Sequence, residues 1–132
     1  MDYTLNLELL EINDIISKFN RIISSGSTPS ITASAGAGTG PTVSISGTDT
    51  SGEITITTGI APVVNSPIAN INFATSYPAV PKAILWPSEG NASALGFLPY
   101  VTSDTASFTI NNAVSLGLLG TTTYKYNYHV IQ

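Results

Sequence analysis

Large apolar residues at the start of the chain recur with a spacing that few folds can use. Leu5, Leu9, Ile12, Ile16, Phe19 and Ile23 succeed one another at intervals of four, three, four, three and four. That is a heptad seam, with Leu9, Ile16 and Ile23 at a and Leu5, Ile12 and Phe19 at d. Asn6, Asn13 and Asn20 recur at e, and Ile15 and Ile22 at g widen the apolar stripe. A helix this short is marginal alone in water, so its stability must come from packing. Isoleucine at a, with Ile and Phe joining Leu at d, shifts the preference from two strands to three or more. The spacing therefore predicts a trimerisation helix over residues 1–25, with those six side chains as the trimer interface. The competing reading is an amphipathic helix lying on its own domain.

The helix has start and stop signals. Asp2 or Thr4 offers an N-cap, Lys18 and Arg21 lie where the dipole favours cations, Gly26 is a natural stop, and Pro29 forbids continuation. Residues 26–41 are rich in Ser, Gly, Ala, Thr and Pro and read as a linker, in which Ser30–Ser34 is a possible first strand.

After Pro41 the period changes from seven to two. Val43 and Ile45, then Ile54 and Ile56, alternate with Ser and Thr on either side of a Gly- and Asp-containing loop, the signature of a β-hairpin. Further strands are expected at 69–73, 82–86, 95–102 and around Phe108 and Ile110. Pro99 demotes its strand to an edge or a bulge. Ser88–Asn91 reads as a turn. In the last strand Tyr124, Tyr126, Tyr128 and Val130 share one face, and Lys125, Asn127 and His129 the other. Lys82–Trp86 is apolar on both faces and reads as a buried strand, with Trp86 in the core. The expected fold is mainly β: the trimeric helix, then an antiparallel β-sandwich, jelly-roll-like, over residues 42–132. Burial of Trp86, Phe73, Phe97, Phe108 and the three tyrosines is worth about 1.5–3 kcal/mol each. A sandwich of this size has little margin after chain entropy, so contacts between copies are expected to add to its stability.

The composition narrows the function classes. Only 4 residues are basic against 8 acidic, and none between Arg21 and Lys82, which argues against a nucleic-acid partner. No apolar run approaches a membrane span. Asp2, Glu8 and Glu11 stand where a signal peptide carries Lys or Arg, so any exit from a cell is expected to proceed without a recognisable export signal, lysis of a host being one such route. Cysteine is absent, and His129 is the single histidine, so one chain holds neither a thiolate site nor a histidine cluster. No metal or other cofactor is expected.

Catalytic signatures are equally sparse. Asp49, Glu53, Glu89 and Asp104 are scattered over turns. A pair of them could serve as a glycosidase acid and base, but turn formation is the commoner role. No Gly-x-Ser-x-Gly elbow is present. Gly36–Gly40 lacks the lysine and the helix of a phosphate cradle. The chain reads as a non-enzyme. The aromatic candidates for recognition are Tyr100 and Trp86, either of which could stack on a sugar if exposed.

One motif is distinctive: Gly47-Thr-Asp-Thr-Ser-Gly-Glu-Ile-Thr-Ile-Thr-Thr-Gly59. Ile71-Asn-Phe73, Tyr77 with Pro78 and Pro81, and Thr123-Tyr-Lys-Tyr-Asn-Tyr-His-Val-Ile131 come after it. Together these resemble β-rich domains of tailed-bacteriophage virion proteins, found in tail fibres and in capsid fibres or decoration proteins. The resemblance covers Thr42 to Gln132. It implies a homotrimeric structural protein of the virion, an extracellular particle assembled in the host cytoplasm. Its partners would be the major capsid protein or another virion protein, and in the tail-fibre case a host surface glycan. No catalytic residues carry over.

Overall fold

The computed structural model describes residues 23–94, 99–113 and 117–132. The expected helix lies, apart from its last three residues, outside the described residues, as do five of its six interface positions, Leu5, Leu9, Ile12, Ile16 and Phe19; so does Phe97. Ile23, the sixth, is described and is 71% exposed.

Among the described residues eight strands form two antiparallel four-stranded sheets. In chain order they are β1 (Ser30–Ala33), β2 (Thr42–Gly47), β3 (Ser51–Thr57), β4 (Pro67–Asn72), β5 (Lys82–Pro87), β6 (Tyr100–Ser103), β7 (Ser107–Asn111) and β8 (Thr123–Ile131). One sheet has the order β1-β4-β7-β6 and the other β2-β3-β8-β5. A 3-10 turn at Ala35–Ala37 and a short helix α1 (Gly90–Ala94) complete the described elements. β1 falls within the stretch that reads as a linker, at the place where a first strand was possible, and pairs with β4 from Ser30↔Asn72 to Ala33↔Ala69. Of the expected Ser88–Asn91 turn, Ser88 and Glu89 precede α1, while Gly90 and Asn91 are its first two residues. β6 starts just after Pro99 and lies at a sheet edge, where a missing N–H costs least.

The sheets face each other as a sandwich. Ile68, Ala69 and Ile71 of β4 and Phe108 and Ile110 of β7 are buried from one side. Ile54 and Ile56 of β3 and Tyr124, Tyr126, Tyr128 and Val130 of β8 are buried from the other. Phe108 and Tyr128 meet across the layers with ring centroids 5.7 Å apart, and Phe73 lies 5.8 Å from Phe108. The alternation of β8 is thus converted directly into an inner aromatic face and an outer polar one.

Gly52 is a required absence. A Cβ there would collide with the Ser46 carbonyl oxygen and stand 2.8 Å from the Tyr128 hydroxyl. The bare backbone lets the Tyr128 ring pass and its hydroxyl donate to the Thr48 carbonyl.

Trp86 departs from the buried-strand expectation. It is 44% exposed, and Ile84 is 47% exposed, while Ala83 and Leu85 pack on the core. A strand has two faces, and β5 offers only one to the opposite sheet. The apolar character of Ile84 and Trp86 therefore serves something other than this chain's described core.

Candidate functional site

The two ends of the sandwich do different things. β3 runs from Ser51 to Thr57, a length of roughly 20 Å at the usual rise. At the Ser51 end the chain enters from its N-terminal segment. Ser24 Oγ lies 2.7 Å from Thr48 Oγ1 and 3.0 Å from Ser51 Oγ, and Thr28 donates to the Gly47 carbonyl at 2.9 Å. Asp49 ties this end together: its carboxylate accepts the N–H groups of Ala74 and Thr75 at 2.7 and 2.9 Å. Asp104 closes the β6–β7 turn by accepting the N–H groups of Ala106 and Ser107, both at 2.7 Å, and these bonds hold its pKa below the ordinary carboxylate value.

The opposite end is an apolar tip. Ile60, Val63, Val64, Leu119 and Tyr100 are all exposed there, Ile60 by 68% and Leu119 by 58%. Two buried polar residues clip the loops that carry them. Asn112 donates to the Val63 carbonyl and accepts from Leu118 N–H, each at 3.0 Å. Thr58 donates to the Leu119 carbonyl at 2.5 Å and accepts from Thr122 N–H at 3.1 Å. Tyr100 donates to Asn65 Oδ1 at 3.2 Å. Ala61, Asn65 and Thr121 hold a left-handed backbone in these same loops, with φ between 50° and 55°. Non-glycine residues rarely adopt that conformation unless their surroundings impose it.

A second surface lies on the outer face of the β2-β3-β8-β5 sheet. Trp86 stands opposite Asn127, which stands opposite Glu53 on the next strand; Ile84 stands opposite His129, and His129 opposite Ser51. Ser51, Gly52, Trp86, Asn127, Tyr128 and His129 line an open depression of about 340 Å³. Ile131, half exposed, extends the apolar strip beyond it.

Asp49 and Asp104 are spent on turns, and Glu53 accepts the Ser88 hydroxyl at 3.4 Å. Among the described residues no group of three or more histidines or carboxylates is placed to hold a metal ion. Sequence reasoning singled out Trp86 and Tyr100 as stacking candidates, and both are exposed. It missed the tip residues, whose signal was a set of apolar side chains inside Pro- and Gly-bearing loops.

Two buried phenols have a pH signature. Burial, with Tyr124 and Glu89 nearby, raises the Tyr126 hydroxyl well above its ordinary value. Burial, with Asp49 and Tyr77 nearby, pushes Tyr128 up to about 12. A raised folded-state pKa contributes stability that is fully present below the unfolded value, near 10, and is lost as pH rises toward about 12. Tyr126 and Tyr128 are expected to ionise late, together with loss of the β circular-dichroism signal. Tyrosinate absorbance followed alongside that signal checks this. Ionisation of these two near pH 10 with the sheets intact would contradict it.

Compared with known proteins, the chain matches no family, no curated protein and no solved structure.

Proposed function

We propose that the chain is a non-enzymatic structural protein of a tailed-phage virion, a homotrimeric capsid decoration protein or head fibre. Three N-terminal helices form the attachment stalk, and three β-sandwiches form the outward head. The observation that carries this reading is polarity. The heptad-bearing segment joins the sandwich at the Ser24–Ser51 end, and the exposed apolar tip lies at the other. A clasp at one end and a contact surface at the other is what a small adhesive projection requires. The exposure of Ile23, the last residue of the seam, agrees with a side chain meant for a neighbour. In this reading each head is a jelly-roll-like sandwich. The chain's partners are two further copies and the major capsid protein or another virion protein. Weak contacts made by three tips add through effective concentration.

Tyr100 supports a second reading, a tail-fibre protein adsorbing to host surface glycans. Its exposed ring lies at the tip with its hydroxyl held by Asn65, as a sugar-stacking platform would need. Light scattering on the full chain tests the assembly common to both readings. The expected mass is three times 13.7 kDa; a monomer at micromolar concentration rejects them. Electron microscopy of an intact virion bearing the labelled chain separates capsid from tail, and selective binding on a glycan array favours the tail.

A further inference from the structure

The outer face of the β2-β3-β8-β5 sheet divides into two unlike halves. On β2 and β3 the outward positions are Thr42, Ser44, Ser46, Glu53, Thr55 and Thr57, all of which suit water. On β5 and the end of β8 they include Ile84, Trp86 and Ile131, exposed by 47%, 44% and 50%. Nothing in the pleat distinguishes the halves, yet only this one carries large apolar side chains that are about half exposed. A continuous apolar strip on a face otherwise kept polar marks a contact surface.

Where the chain enters decides what covers it. Ser51 points outward on this face, opposite His129, and lines the same depression as Trp86. Ser24 is bonded to Ser51, so the described chain begins beside this face. Copies joined through their N-terminal segments would therefore be joined from the side of this sheet. Lys82 at the start of β5 and Pro87 at its end blunt its edge against strand addition, which leaves the face as the better contact surface.

We infer that the Ile84–Trp86–Ile131 strip is the surface through which the heads meet, each copy turning it toward the common axis. The inference rests on the trimer proposed above. The occupant is a second copy of this chain, and the depression beside Trp86 receives a neighbour's apolar side chains.

Trp86 is the only tryptophan, so its fluorescence reads this surface directly. Emission and acrylamide quenching are measured on the full chain, on Ile16→Asp and on Ile84→Glu, with the mass of each from light scattering. In the wild-type trimer, Trp86 is expected to emit at shorter wavelength and to quench several-fold less than in dissociated Ile16→Asp. Ile84→Glu, on an exposed position away from the helix, is expected to open Trp86 to the quencher while the mass stays that of three chains. A wild-type trimer whose Trp86 quenches as freely as in Ile84→Glu overturns the inference and leaves the trimer standing. A wild-type monomer overturns both. If that monomer has a shielded Trp86, the cover is the chain's own N-terminal segment.

Discussion

Replacing Phe108 with alanine is expected to remove about 3–5 kcal/mol of folding stability, a large part of the roughly 5–15 kcal/mol that a domain possesses. Phe108 is fully buried in β7, paired with Ile71 of β4 on one side and Ser103 of β6 on the other. Its ring is the point where the layers touch, with Phe73 from its own side and Tyr128 from the facing sheet, both tilted by more than 40°. The deletion loses the transfer energy of the ring and leaves a cavity between two sheets that cannot close on it, because each is held by its own ladder. It also ends two aromatic contacts worth about 0.5–1.5 kcal/mol each. Phe108→Leu keeps most of the volume and is expected to cost much less. Denaturant unfolding checks both, ideally in the Ile16→Asp background so that assembly does not add to the measured stability. The expected sign is a lower midpoint at unchanged slope. A Phe108→Ala midpoint equal to wild type would mean that the layers are not joined there.

The same core shows which features were legible in the sequence. β8 could be read to its ends because Tyr, Tyr, Tyr and Val alternate with Lys, Asn and His, and strict alternation has one structural meaning. The β2–β3 hairpin was legible for the same reason, with Gly47 and Gly52 marking its loop. β5 was not. Ala83, Ile84, Leu85 and Trp86 form an apolar run with no period, and such a run fits a strand buried on both faces as well as one that offers an apolar face to a partner. Its flanks held the missing signal, since Lys82 and Pro87 belong at an edge, and an edge strand of a two-layer sandwich has an open face. The pairing of β8 between β3 and β5, across gaps of more than sixty and of some forty residues, had no local signature at all. The tip was hidden for a related reason. Ile60, Val63, Val64 and Leu119 look like ordinary loop residues until Asn112 and Thr58 are seen to gather their loops at one end.

The assembly proposal has its most severe test at Ile16, the central a position of the seam. In a three-stranded bundle the Ile16→Asp variant would bring three carboxylates near a single apolar axis. Each would lose its hydration without gaining a partner, since Lys18 and Arg21 lie outside the a and d positions. Either the bundle keeps the charges at a cost on the order of several kcal/mol, or the acids take up protons to remain neutral. The two routes differ in their dependence on pH. At neutral pH the trimer is expected to come apart to smaller species. Below the carboxylate range the aspartates are neutral and the mass of three chains is expected to return in part. Ile16→Asn has nearly the same shape without the charge, and a single buried Asn at an a position is tolerated in coiled coils, so it is expected to dissociate far less. If helix 1–25 instead lay against its own sandwich, Ile16→Asp would weaken each chain's fold and leave its mass unchanged. Light scattering at two pH values, with unfolding followed on the same samples, separates these outcomes, because only a seam between chains ties mass to the charge at that one position.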